Sequence, residues 1–389
     1  MSNASDVKQN NTIAIMRLLQ REGAMTKANI AASLNLSNAT VHNIITELKE
    51  KGFCRECEKV VNTGGRNAVM HEINKSGGHI IGQDLHRDRI VTRIFDYGLN
   101  ILSESIVQIK DLHDLSETIR LMSRQIMLCI EREKQYNFVG VGISMLGRLD
   151  KKGKVINIPG YPEWRNVHLK DILASEISLP IFIENDNNAA TLAWKWSDGT
   201  EESDNTVFYH IAEGVGSGIL INGKLFGGAN NNGCELGHVS VMVDGGPKCS
   251  CGNHGCLEAF LKDAVILQEI NLLPQYRDRP VQTMREAVAE YAKCEAVREV
   301  FLQKLRYVMI GIEHIVKLFD PELIVIRNDW IRKIPNMFVM LQDMIRERFS
   351  ISELCNLRII MDNSRISEVS SACVFMERFY SGEAKTFYL

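Results

Sequence analysis

Between Gly233 and Phe260 the chain gathers residues that can hold a soft metal ion. His238, Cys249, Cys251 and Cys256 lie within 19 residues, and Gly252 and Gly255 supply the tight turns that bring three thiolates onto one ion. In outline this is a three-cysteine, one-histidine zinc site. Protein fills all four tetrahedral positions, which points to a structural zinc and away from a catalytic one. Cys234 and His254 are close enough in sequence to compete as ligands. Glu235 stands three residues before His238 and Glu258 two after Cys256, so closing the metal loop fixes two carboxylates relative to each other. The expected product is a polyol-binding pocket built by zinc.

Such a loop needs a scaffold, and 389 residues with 45% hydrophobic and 24% charged content suit two or three domains with a sizeable core. No apolar run approaches the roughly 20 residues of a membrane span, and the N-terminus lacks a signal-peptide core. The expected location is the cytoplasm, with no membrane partner. Ten cysteines without secretion signals read as reduced thiols plus a metal. Residues 1–75 carry ten Lys and Arg against seven Asp and Glu, within a chain of net charge −3. That sign fits a nucleic-acid-facing N-terminus on an acidic body.

The N-terminal pattern supports this. Apolar residues recur at helical spacing from Asp6 to Glu22, and Gly23 stops the run. Thr26 caps a second helix, Lys27 to Leu34, and Ser37 caps a third that runs to about Lys51 with Val41, Ile44, Ile45 and Leu48 as its inner stripe. Two short strands around Gly64-Gly65 complete a winged helix-turn-helix over residues 1–75. Ser37, Asn38, Thr40, His42 and Asn43 near the start of the third helix suit base-edge reading in a major groove. Arg66 at the wing tip is placed to enter a minor groove. Cys54 and Cys57, a lone pair with no second one, are expected to be incidental.

Beyond Gly78 the expected order is strands 79–85, 89–96 and 101–109, a helix 115–133 and a strand 138–145. A second copy follows: strands 206–213, 218–222 and 238–243, helices to 318, and a strand 323–327. Two similar α/β lobes with a ligand cleft between them follow. Glu184-Asn-Asp-Asn-Asn-Ala-Ala190, Gly214-Val-Gly-Ser-Gly218, Gly233-Cys-Glu-Leu-Gly-His238 and the Cys249 to Glu258 motif together resemble the ROK family of repressors and sugar kinases. The resemblance covers residues 78 to about 380. It implies an actin-like, sugar-kinase-like fold, with a first lobe over 76–187 joined by a C-terminal helix at about 375–389, and a second lobe over 188–374 carrying the zinc motif. It also implies a sugar held by Asn185, Asp186, Glu235, His238 and Glu258, with Gly160 of the Ile158-Pro-Gly-Tyr-Pro-Glu-Trp164 turn beside it. A sugar effector, double-stranded operator DNA and a homodimer or homotetramer are the implied partners.

Family kinases grip ATP with a glycine-rich first hairpin and a late glycine pair. Here Asp84-Leu-His-Arg-Asp-Arg89 puts His86, Arg87 and Asp88 where phosphate needs bare backbone, and Arg327-Asn328 replaces the late glycines. Asp186 matches the position of the kinase general base. With the phosphate elements lost, no ATP is expected, and a sugar-responsive regulator is favoured over the alternative, an ATP-dependent sugar kinase.

Overall fold

A computed structural model describes residues 4–57, 69–197, 203–231, 233–351, 353–362 and 365–381. The N-terminal unit comprises α1 (Ala4–Glu22), β1 (Met25–Thr26), α2 (Lys27–Leu34), α3 (Asn38–Glu50), β2 (Cys54–Cys57) and β3 (Met70–Ile73). Thr26 Oγ1 accepts from Asn29 N and Ser37 Oγ from Thr40 N, both at 3.1 Å, so each helix start gains a partner for a free backbone donor. Asn35 closes α2 in the left-handed region, at φ 52°. Val41, Ile44, Ile45 and Leu48 form the buried face of α3. β2 and β3 pair antiparallel, Cys54 opposite Ile73, as the arms of a wing. Its tip, with Arg66, lies outside the described residues.

The first lobe runs β4 (His79–Leu85), β5 (Arg89–Asp96), β6 (Ile101–Gln108), α4 (Leu115–Arg132), β7 (Phe138–Met145), β8 (Arg148–Leu149), β9 (Val155–Asn157), α5 (Leu169–Ala174), β10 (Ile181–Asn185) and α6 (Asp186–Ser197). Its sheet has the order β10-β7-β4-β5-β6, with β10 and β4 parallel to the β7 that lies between them.

The second lobe runs β11 (Thr206–Ile211), β12 (Val215–Ile221), β13 (Lys224–Leu225), α7 (Glu258–Leu261), α8 (Asp263–Asn271), α9 (Met284–Glu290), α10 (Glu295–Phe319), β14 (Leu323–Arg327), α11 (Asp329–Lys333), α12 (Met337–Arg348) and β15 (Arg358–Met361). Its sheet order is β13-β12-β11-β14-β15. The chain then returns through α13 (Ile366–Tyr380), which packs on the first-lobe sheet and on α6. Among the described residues no helix is long and apolar enough to cross a membrane.

Two expectations are corrected. The strand expected over 238–243 is absent: Leu236–His238 form a 3-10 turn. The following backbone turns to the cysteine loop, with Val241 N donating to Gly255 O at 2.8 Å and Leu257 N to Val239 O at 3.0 Å. β13 supplies the third strand of the meander instead, at the edge of the sheet beside β12. The C-terminal helix begins at Ile366, not near 375, and the residues after Ser381 lie outside the described set.

One hydrophobic core joins the N-terminal unit to α6, α13 and one face of the first sheet. Phe53, Tyr97 and Phe379 meet at its centre, with ring centroids 5.8, 6.1 and 5.9 Å apart. The N-terminal unit is therefore seated on α13 and does not hang from a linker. Separate cores fill the second lobe and the other face of the first sheet.

Candidate functional site

The four residues whose spacing suggests a metal site converge. The ligand atoms of His238, Cys249, Cys251 and Cys256 all lie within 4.8 Å of one another, a cluster that could hold a metal ion. His238 Nδ1 is 3.5 Å from Cys249 Sγ, and the Cys251 and Cys256 sulfurs are 3.7 Å apart. Cys234 is outside the cluster because its thiol donates to Phe226 O at 3.0 Å, while His254 forms a backbone bridge with Lys248.

His238 works on two sides. Its Nδ1 faces the sulfurs, and its Nε2 stands 4.0 Å from Glu235 Oε2, beyond hydrogen-bond reach but close enough for the two to interact by charge. Glu235 also faces Arg148 of the first lobe, with Nε and Oε1 3.7 Å apart. Burial raises the Glu235 pKa, and Glu258 adds to that, against His238 and Arg148. Glu258 is held from two directions: Ser250 Oγ donates to Oε1 at 2.8 Å and Val215 N to Oε2 at 3.3 Å.

From the other lobe, β10 delivers Asn185 and α6 begins with Asp186. Asn185 Nδ2 donates to Gly147 O at 2.7 Å, and its Oδ1 accepts from Asn187 N at 2.9 Å. Much of its hydrogen-bonding capacity is thus spent on shaping the turn. Asp186 opens on the cleft, and its Oδ1 accepts from Asn187 N at 2.8 Å. The enclosing walls push its carboxyl up to about 6; the Asn187 N–H and Arg87 oppose this, and Glu235 reinforces it. Asp186, Glu235 and Glu258 are therefore electrostatic neighbours around one cleft. Gly160, at φ 89°, is exposed and precedes Tyr161, whose ring lies under Arg87 at 5.7 Å.

The phosphate side is filled by side chains. Arg87 reaches Glu213 of the second lobe at 3.9 Å. Asp84 is buried with Arg93 at 3.1 Å and Ser371 Oγ at 3.0 Å, and burial lifts its carboxyl to about 7 against the pull of Arg93. Arg327 pairs with Asp362 at 3.0 Å and donates to Ser367. Asn328 Oδ1 caps α11 through Ile331 N at 2.7 Å. Beside them, burial and Arg327 hold the His210 imidazole down at about 4. The glycines of β12 serve packing. A Cβ on Gly216 would stand 2.3 Å from Asn187 Nδ2, and one on Gly218 2.0 Å from Thr191 Oγ1, so these glycines let α6 lie against the strand.

At the N-terminal unit, Ser37, Asn38, His42 and Asn43 are exposed and Thr40 is half-buried, with Ser37 Oγ 2.8 Å from Thr40 Oγ1. Sequence reading missed Lys27, whose Nζ lies 3.1 Å from His42 Nδ1 and extends this polar face with a cation. Its position at the start of α2 was the available signal.

Comparisons with known proteins follow the same division. A winged helix-turn-helix DNA-binding model matches residues 9–53 and the ROK family model matches 80–365. The xylose repressor of Caldicellulosiruptor bescii is 27% identical over 388 residues, covering 97% of each chain. The DNA-binding transcriptional dual regulator NagC of Escherichia coli is 27% identical, covering 85% of this chain and 82% of its own. Among solved structures, a ROK family transcriptional regulator described as a homologue of the E. coli Mlc protein superposes with a TM-score of 0.83 at 22% identity, covering 98% and 99% of the two chains. A ROK hexokinase from Thermus thermophilus superposes with a TM-score of 0.62 at 25% identity, covering 77% of this chain and 98% of its own. With its family model spanning both lobes, the cysteine loop and the acidic cleft, this chain belongs to the ROK family and carries a winged helix-turn-helix at its N-terminus.

Proposed function

We infer that this protein is a sugar-responsive, DNA-binding transcriptional repressor whose affinity for operator DNA is lowered by a sugar bound between the lobes. The repressors it resembles span the same two-part chain. The observation that carries the reading is the shared core: α6 starts at Asp186 in the cleft and packs on α13, and α13 packs on the N-terminal unit. A ligand shifts the DNA equilibrium only through different affinities for two conformations. Closure of the cleft on Asn185, Asp186, Glu235, His238 and Glu258, with Gly160 at its rim, would move the start of α6 and thereby the head. The protein is a regulator and not an enzyme, in keeping with the repressors among its relatives.

Ser37, Asn38, Thr40, His42 and Asn43 are proposed to read bases, with Lys27 on a phosphate and Arg66 in the minor groove. A homodimer would present two heads to half-sites spaced by whole turns of roughly 10.5 base pairs. Operator fragments selected by the full-length protein, followed by fluorescence anisotropy with and without sugars, test the reading. Release by a sugar that also binds in calorimetry is the expected result. Equal operator affinity with every sugar that binds would refute the coupling.

The metal is proposed to be zinc. Tetrahedral zinc with bonds of about 2.3 Å to sulfur and 2.0 Å to nitrogen sets S···S at ~3.8 Å and N···S at ~3.5 Å. The Cys251–Cys256 sulfurs at 3.7 Å and the His238 Nδ1–Cys249 Sγ pair at 3.5 Å match this, and the four ligand atoms together lie within 4.8 Å of one another. Bound zinc would supply a rigid clamp that fixes Glu235 and Glu258. One zinc per chain by elemental analysis, and loss of sugar binding in Cys251→Ser together with a lower melting temperature, are the expected outcomes. A zinc-free protein that still binds sugar normally would refute the clamp.

A further inference from the structure

Side chains alternate across a strand, so Phe182 and Glu184 of β10 share one face, and residues three apart on a helix do the same. The two pairs meet on α13. The Phe182 and Phe375 rings are 5.9 Å apart, and Arg378 Nη2 stands 3.4 Å from Glu184 Oε2. Glu184 is only 2% exposed, and a carboxylate taken out of water needs hydrogen bonds and a cation to offset the loss. Its other oxygen, Oε1, accepts from Asn185 N and from Asn188 Nδ2, both at 3.0 Å. One buried side chain therefore holds the backbone that presents Asn185 and Asp186 with one oxygen, and faces α13 with the other.

Three consecutive residues of α13 receive these contacts. Glu377 holds the last turn of α6, through Lys195 at 2.9 Å and Trp196 at 3.0 Å. Arg378 holds Glu184, two residues ahead of the first residue of α6. Phe379 meets Phe53 of the N-terminal unit, with ring centroids 6.1 Å apart. Both ends of α6 are thus fastened to the turn of α13 that carries the head. The grip on the far end has ordinary hydrogen-bond lengths, whereas the Arg378 contact is at the long end of the range. A charge-assisted hydrogen bond weakens steeply as its geometry departs from ideal, so a small shift of the backbone at Asn185 and Asp186 changes this contact most.

We propose that Arg378 is a positioning residue for the response to sugar: through Glu184 it couples the backbone of Asn185 and Asp186 to α13, with a contact of different strength in the sugar-bound and operator-bound conformations. Only such a difference carries coupling between two sites. The inference rests on the sugar-effector reading and names the contact through which that site is read.

Calorimetry and operator anisotropy on the full-length, metal-loaded protein test this, with glucose, xylose and N-acetylglucosamine as probes. Arg378→Gln should bind the active probe within threefold of wild type, while the ratio of operator Kd with and without that sugar falls at least threefold. Arg378→Lys, which keeps the charge, should retain part of the ratio. The double variant Glu184→Gln/Arg378→Gln separates positioning from support. Arg378→Gln alone leaves a buried carboxylate without its cation and should lower the melting temperature. In the double variant that charge is gone, so the melting temperature should recover toward wild type while the ratio stays low. A ratio that recovers together with the melting temperature overturns the proposal, because the pair would then serve the fold alone. A wild-type ratio in Arg378→Gln overturns it equally. If wild-type protein binds none of the three probes, the sugar-effector reading falls and takes the proposal with it.

Discussion

Asp186→Ala is expected to leave operator binding intact and to weaken sugar binding by about 2–3 kcal/mol, on the order of 100-fold in Kd, because a charged acceptor is lost. Asp186 stands at the first residue of α6, far in sequence from α3, and its carboxyl opens on the cleft. The fold does not depend on its charge. Its carboxyl lies near 6, above the ordinary aspartate value of 3.8. A folded-state pKa that is raised means the proton stabilises the native state, and this contribution is lost as pH rises through about 6. At neutral pH the ionised group is therefore held against a cost, and Asp186→Asn should melt no lower than wild type.

The same shift sets the pH dependence of the response. Sugar affinity should be level at pH 7 and above and fall as pH drops through about 6, where the acceptor becomes a neutral acid. In Asp186→Asn that dependence should shrink to what Glu235 contributes. Calorimetry between pH 5 and 8 on both proteins checks this, with anisotropy on operator DNA as the control. A variant that no longer bound operator would mean that the site supports the DNA head itself and not its regulation.

Much of this site was legible because spacing determines it. His238, Cys249, Cys251 and Cys256 are close in sequence, and glycine turns leave few other ways to fold the loop. Exclusion of Cys234 was not legible, since it depends on Phe226 O, eight residues away across a turn. Alternating Val239, Val241 and Val243 resembled a strand, yet Val243 is 88% exposed and the local backbone is spent on Gly255 and Leu257. The early start of α13 was hidden because its inner face includes the buried Ser370 and Ser371, which break the apolar period. The reason for Gly216 and Gly218 was not legible either, since it is the close approach of α6. Arg148 drew no notice because nothing in a linear chain announces a two-residue strand set across from Glu235. Metal loops and helix caps are local; sheet partners and cleft neighbours are decided by the whole fold.

Phe379→Leu is expected to separate ligand binding from its output. Phe379 is fully buried and joins three bodies: Phe53 of the N-terminal unit at 6.1 Å, Tyr97 of the first lobe at 5.9 Å, and its own helix through Phe375 at 5.7 Å. α6 grips the same helix beside it. Trp196 stacks on Tyr380 at 5.0 Å and donates to Glu377 at 3.0 Å, while Lys195 pairs with Glu377 at 2.9 Å. A movement of α6 that begins at Asp186 therefore reaches the head through α13. Truncation to Ala would remove about 3–5 kcal/mol of core packing and threaten the fold. Leu keeps most of the volume and should cost on the order of 1 kcal/mol. Sugar affinity should remain within twofold of wild type in Phe379→Leu, since the cleft is untouched. The sugar-induced drop in operator affinity, typically about 1–3 kcal/mol of coupling in such systems, should shrink by at least half. Thermodynamic linkage requires the reciprocal effect, so operator DNA should lose its influence on sugar affinity by the same factor. Measuring both legs of the cycle separates lost coupling from general destabilisation, which would weaken operator binding with and without sugar alike. If Phe379→Leu retains the full wild-type response in both directions, the signal runs outside α13 and the shared aromatic core serves stability alone.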